Sequence, residues 1–83
     1  MGIFALMNRK IKLIWDFRGP DALETAKHHT IHLKEFAAKE DLIYHEANVK
    51  ELNPVLAYAF ITVNESEMII YRDALQPHRG ELA

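Results

Sequence analysis

The chain contains no cysteine, which removes disulfides, thiolate zinc sites, iron–sulfur clusters and thiol nucleophiles at once. Glycine and proline occur three times each, and Gly19 and Gly80 stand alone, so there is no glycine-rich loop to cradle a phosphate. A basic surplus is also missing. Ten Lys and Arg face twelve Asp and Glu, for a formal charge of -2. A general nucleic-acid binder needs positive charge to displace counterions, so no nucleic-acid partner is expected. No run approaches the ~18 consecutive apolar residues of a membrane span. The apolar opening Met1–Met7 has no basic region before it and no small-residue cleavage site after it. No secretory signal and no membrane association are expected, and the cytoplasm is the default location. Met7 is an alternative start, or the opening residues lengthen the first strand.

What is present suits one globular domain over residues 1–83, with 49% apolar and 27% charged residues. A chain this short buries only roughly 60–65% of its unfolded surface, so its own core gives marginal stability. Without disulfides or a metal, association is a common source of further burial.

Ile11–Phe17 alternates as a strand, with Ile11, Leu13, Trp15 and Phe17 on one face and Lys12, Ile14 and Asp16 on the other. Arg18-Gly19-Pro20 breaks it. Asp21 with Glu24 forms a capping-box pair that starts a helix running from about Ala22 to about Asp41. Ala22, Leu23, Ala26, Leu33, Phe36 and Ala37 make its apolar stripe, and Ile31 and Ala38 lie opposite. A second strand is expected over Leu42–Leu52, with Ile43, His45, Ala47 and Val49 on one face. Asn53-Pro54 turns the chain. The third strand, Val55–Val63, is apolar on both faces: alanine-rich on one, Leu56, Tyr58 and Phe60 on the other. A strand of that kind is covered on both sides. For residues 64–76, Asn64 with Glu67 and the Met68, Tyr71, Leu75 spacing favour a helix stopped by Pro77. The rival is a hairpin in which Met68–Tyr71 pairs back on the third strand.

The order strand, helix, strand, strand, helix predicts an α+β fold with a three-stranded antiparallel or mixed sheet. Right-handed crossovers place both helices on one face and set the first two strands parallel, with the third between them. This element order resembles the ferredoxin-like fold without its last strand. More loosely it is similar to the dimeric α/β-barrel families built on that fold, in which two sheets face each other. The resemblance implies a homodimer, or a small enzyme with a pocket between the sheet and its partner subunit. It names no cofactor.

Three groups of residues carry chemical potential. The helix-free face would hold Ile14, Asp16, Tyr44, Glu46, Leu56, Tyr58 and Phe60, a large aromatic and aliphatic patch that calls for a partner or ligand. Ile14, Tyr44, Leu56, Tyr58 and Phe60 are therefore the candidate dimer interface, and two-fold pairing is the commonest solution. Topology next brings His78 and Arg79 to the end of the first strand beside Asp16, Arg18 and the first helix N-terminus. There Arg18 and Arg79 are placed to clamp a small anion, with Tyr58 and His45 as further ligand contacts. The alternative is ion pairing of Arg18 with Asp16 or Asp73, and of Arg79 with Glu81. Finally, His28, His32 and Glu35 share one flank of the first helix at metal-ligand spacing, against the alternative of a solvated polar flank. His29 is expected at the rim of the apolar stripe, bonded to backbone or Glu40. His45 must find a partner if it is buried, and is simply exposed if Leu42 and Tyr44 point inward.

Overall fold

The computed structural model describes residues 9–83; the expectation that the opening residues lengthen the first strand concerns residues outside that range. The elements are β1 (Lys10–Arg18), α1 (Ala22–Lys39), β2 (Glu46–Asn53), β3 (Leu56–Asn64), α2 (Glu65–Leu75) and β4 (Arg79–Leu82). The chain is α+β, with an open, wholly antiparallel sheet in the order β2-β3-β1-β4. As expected, β3 lies between β1 and β2, and residues 65–75 are helical.

The sheet has four strands, not three. β4 reads Arg79-Gly80-Glu81-Leu82, with two charges and no apolar alternation, so it carries no strand pattern. It forms because the free edge of β1 accepts it: Ile11 pairs with Leu82 and Ile14 with Arg79. At Gly80 an added Cβ would meet Leu13 Cδ2 at 3.4 Å.

The core follows from the alanines. Ala57, Ala59, Ile61 and Val63 of β3 and Ile11, Leu13 and Trp15 of β1 share a cluster with Ala22, Ala26, Leu33 and Ala37 of α1 and with Tyr71 of α2. Both helices therefore lie on one face. Small side chains on both α1 and β3 let the helix sit close to the sheet, and large residues fill the flanks. Tyr71 is fully enclosed. Its hydroxyl donates to the Ile43 carbonyl at 3.2 Å, and its ring stands edge-on to Phe36 at 5.7 Å. Trp15 Nε1 donates to the Leu75 carbonyl at 2.9 Å, tying α2 to β1.

Both helices begin where the sequence places them, but neither uses a side-chain cap. Asn64 Oδ1 instead meets His45 Nε2 at 2.7 Å. At the far end of α1, Asp41 takes a left-handed conformation (φ 56°). The Asp41 and Leu42 amides bond back to the Ala38 and Ala37 carbonyls, a Schellman ending built without glycine.

β2 begins at Glu46, not Leu42. Residues 42–45 are irregular and turn Leu42 and Tyr44 toward the helix-side core, leaving Ile43 and His45 exposed. The reason is local: the Schellman turn and the Tyr71 bond fix the backbone before pairing starts.

Candidate functional site

The strand register assembles the helix-free face. Lys12, Ile14, Asp16 and Arg18 of β1 stand opposite Thr62, Phe60, Tyr58 and Leu56 of β3, while Arg79 and Glu81 flank them from β4. Ile14, Tyr58 and Phe60 form a second apolar cluster, separate from the helix-side core. Tyr44 does not join it. It packs against the helix-side core from the loop before β2, which corrects its place among the interface candidates.

This face is not a bare aromatic patch. Tyr58 and Phe60 are only 9% and 8% exposed, and Ile14 is 1% exposed. Part of the cover is cationic. Lys12 Nζ lies 4.3 Å from the Phe60 ring centroid and 5.2 Å from that of Tyr58, and it donates to the Tyr58 hydroxyl at 3.3 Å. The Arg79 guanidinium lies 5.6 Å from the Tyr58 ring. A cation over an aromatic face contributes about 0.5–1 kcal/mol at an exposed site. Strand alternation puts Lys12 on this side with Ile14 and Asp16, so its place was available from sequence, though its role over the rings was not.

At the rim, Asp16, His78 and Arg79 do meet. Arg79 grips Asp16 with a two-pronged fork, Nε to Oδ2 and Nη2 to Oδ1, both at 3.0 Å, and Glu81 lies 3.6 Å from its Nη1. The hydrogen bonds from Arg79 hold the Asp16 carboxyl below its ordinary range. Partial burial opposes this, and the charges of Arg79, His78 and Arg18 add to it. The Asp16 amide donates to His78 Nδ1 at 2.8 Å, and the His78 amide donates to the Ile14 carbonyl at 2.9 Å. His78 thus completes the β1 edge just beyond the point where β4 begins. An accepting Nδ1 means that the neutral ring carries its proton on Nε2.

The Arg79 fork is occupied by Asp16, so an anion at this rim must compete with a carboxylate already in place. Arg18 is exposed and makes no side-chain hydrogen bond or ion pair among the described residues. Asp73 pairs with Arg72 rather than with Arg18.

The other histidines divide by environment. His45 is exposed and bonded to Asn64, remote from the Asp16 cluster in sequence and on the opposite strand edge. His29 is half-buried against Trp15 and Phe17, at 5.0 and 5.6 Å between centroids. Its Nε2 is buried with no hydrogen-bond partner, so the expected bond to backbone or Glu40 is not made. Desolvation, then the nearby charges of His32, His78 and His28, push its pKa down. Neutral imidazole is favoured there. His28 and His32 are exposed, with their Nε2 atoms 3.0 Å apart. Among the described residues no group of three or more His, Asp or Glu side chains is arranged to hold a metal ion.

Sequence reasoning missed Thr30, a buried hydroxyl in the α1 stripe that donates to the Ala26 carbonyl at 2.9 Å. It also missed Asn64 as the partner of His45. Each depends on a polar bond that apolar periodicity does not report.

No family model matches this chain, and no curated protein or solved structure matches it either.

Proposed function

We propose that the chain is a small cytoplasmic interaction module of ferredoxin-like type that works as a homodimer, using the helix-free face of its sheet as the contact surface. The β-α-β-β-α-β order and the strand arrangement β2-β3-β1-β4 support the fold assignment. The observation that carries the functional reading is the second apolar cluster. Ile14, Tyr58 and Phe60 sit on a side to which neither α1 nor α2 contributes, covered in part by the Lys12 and Arg79 side chains, so a partner would meet this cationic layer and Leu56 and not the bare rings.

The edges of the sheet support a face contact over strand addition. β2 carries Glu46, Lys50 and Glu51 and a register shift between Glu51 and Asn53. β4 is four residues long. Charges, bulges and short strands all discourage edge-to-edge pairing. On the face, Lys12 and Arg79 present cations beside Asp16 and Glu81, a mixed-sign surface that two-fold symmetry can match against itself.

Sedimentation velocity from 5 to 200 micromolar tests this. A concentration-dependent dimer is expected, shifted toward monomer by Leu56→Asp on the face and unaffected by Ile31→Lys on the outer side of α1. A single monomeric species throughout overturns the proposal.

A further inference from the structure

We infer that His28 and His32 form a two-imidazole chelate for a divalent transition cation, with Glu35 as the group that positions His32. The site stands apart from the sheet face and does not depend on the homodimer. Both histidines project one turn apart from the middle of α1, a helix whose other side is fixed in the core through Ala22, Ala26, Leu33 and Ala37. The backbone that carries the pair is therefore already ordered before any ion arrives.

Glu35 biases the proton pattern. Its Oε1 lies 3.3 Å from His32 Nδ1, and the field of the carboxylate favours the tautomer with the hydrogen on that nitrogen. The lone pair of neutral His32 is then on Nε2, the atom facing His28 Nε2 at 3.0 Å. A carboxylate beside the outer nitrogen is the kind of neighbour that orients a metal-binding histidine and raises its basicity. Glu35 is thus a positioning residue and not a third ligand. His28 supplies the second nitrogen once its proton moves to Nδ1.

The separation also suits a shared ion. With metal–nitrogen bonds of about 2.0–2.1 Å, two neighbouring ligand atoms on one ion stand about 2.9–3.3 Å apart. The two Nε2 atoms, 3.0 Å apart in their mutual hydrogen bond, therefore reach one ion with little movement. Imidazole ligands suit Ni²⁺, Cu²⁺ and Zn²⁺. Mg²⁺ and Ca²⁺ want oxygen ligands and find none here in number. The remaining histidines do not compete. His45 is engaged by Asn64, His78 by the Asp16 amide, and His29 is half-buried against Trp15 and Phe17.

Isothermal titration calorimetry on the chain without an affinity tag tests the site, with NiCl₂, ZnCl₂ and MgCl₂ at pH 7.5. One Ni²⁺ or one Zn²⁺ per chain is expected, with no heat from Mg²⁺. His28→Ala or His32→Ala lowers Ni²⁺ affinity at least about tenfold, and Glu35→Gln lowers it by about 10-fold, in line with loss of an outer-shell partner. His45→Ala leaves it unchanged. The charged groups nearby on α1 are Glu35 and, a turn earlier, the paired Glu24 and Lys27. All variants lie on the exposed side of α1 or in the loop, and circular dichroism confirms their helix content. No binding at millimolar Ni²⁺, or affinity retained in His32→Ala, overturns the chelate. An unchanged Glu35→Gln variant removes Glu35 from the site.

Discussion

Replacing Tyr71 with phenylalanine separates two effects of one buried hydroxyl. At neutral pH the native residue donates to the Ile43 carbonyl at 3.2 Å, and loss of that bond costs about 1 kcal/mol. At high pH the sign reverses. Burial, then the neighbouring Glu67 and Tyr44, push the Tyr71 phenol up to about 12, against about 10 in the unfolded chain. A folded pKa above the unfolded one means that the fold favours the protonated phenol. That contribution is complete below about pH 10 and is lost as pH rises through about 12, a total of about 3 kcal/mol. The phenyl ring of the variant has nothing to ionise. The native protein is therefore the more stable at pH 8, the two cross at about pH 10.7, and the variant leads beyond. Urea unfolding of both proteins from pH 8 to 12 measures this, because lysine deprotonation is common to both and cancels in the difference. A native-minus-variant absorbance difference at 295 nm reports the phenol directly. Parallel stability curves, or a difference titration centred near pH 10, would refute the reasoning.

Asp41→Gly should stabilise the chain by about 0.5–1 kcal/mol, because the Schellman position at φ 56° penalises any side chain and a negative charge sits poorly at a helix C-terminus. Thermal unfolding should show a Tm higher by about 3–6 °C; a lower Tm would mean that Asp41 makes a compensating contact. Ala59→Leu should destabilise by about 1–3 kcal/mol, since Ala59 is wholly enclosed in the cluster it shares with α1 and extra methylenes have nowhere to go. Denaturant unfolding checks this, and a neutral result would show slack between helix and sheet. The sedimentation and nickel titrations described above complete the set.

The parts of the fold readable from sequence were those written in apolar periodicity. α1 begins at Ala22 as expected, and its buried apolar residues Ala22, Ala26, Leu33 and Ala37 all belong to the expected stripe; buried Thr30 does not. β3 is apolar on both faces because both are covered: Ala57, Ala59, Ile61 and Val63 join the helix-side core, and Tyr58 and Phe60 join the cluster on the other face. β4 was not readable, because Arg79-Gly80-Glu81-Leu82 is held by the backbone of β1 and not by its own side chains. The start of β2 was misplaced because the left-handed turn at Asp41 resets the alternation, which moves Tyr44 from the sheet face to the helix-side core. In the site, topology alone foresaw that Asp16, His78 and Arg79 meet. The expected Arg79–Glu81 ion pair is present; what sequence did not give was the fork to Asp16, because that pairing depends on side-chain reach: Arg79 spans to Asp16 and leaves Arg18 exposed.

The placement of β1 has a consequence for how the chain is made. Ile11 pairs with Val63 on one side and with Leu82 on the other, so both neighbours of this strand come from far downstream. During synthesis β1 emerges before either partner and waits, unpaired, until β3 and β4 have followed it. Pairings of such long separation also form slowly, which prolongs the exposure of an aggregation-prone segment. Lys12 and Asp16 interrupt the apolar stretch around Leu13, Ile14 and Trp15 throughout that interval. The two residues that later dress the sheet face therefore act first as gatekeepers of a nascent strand.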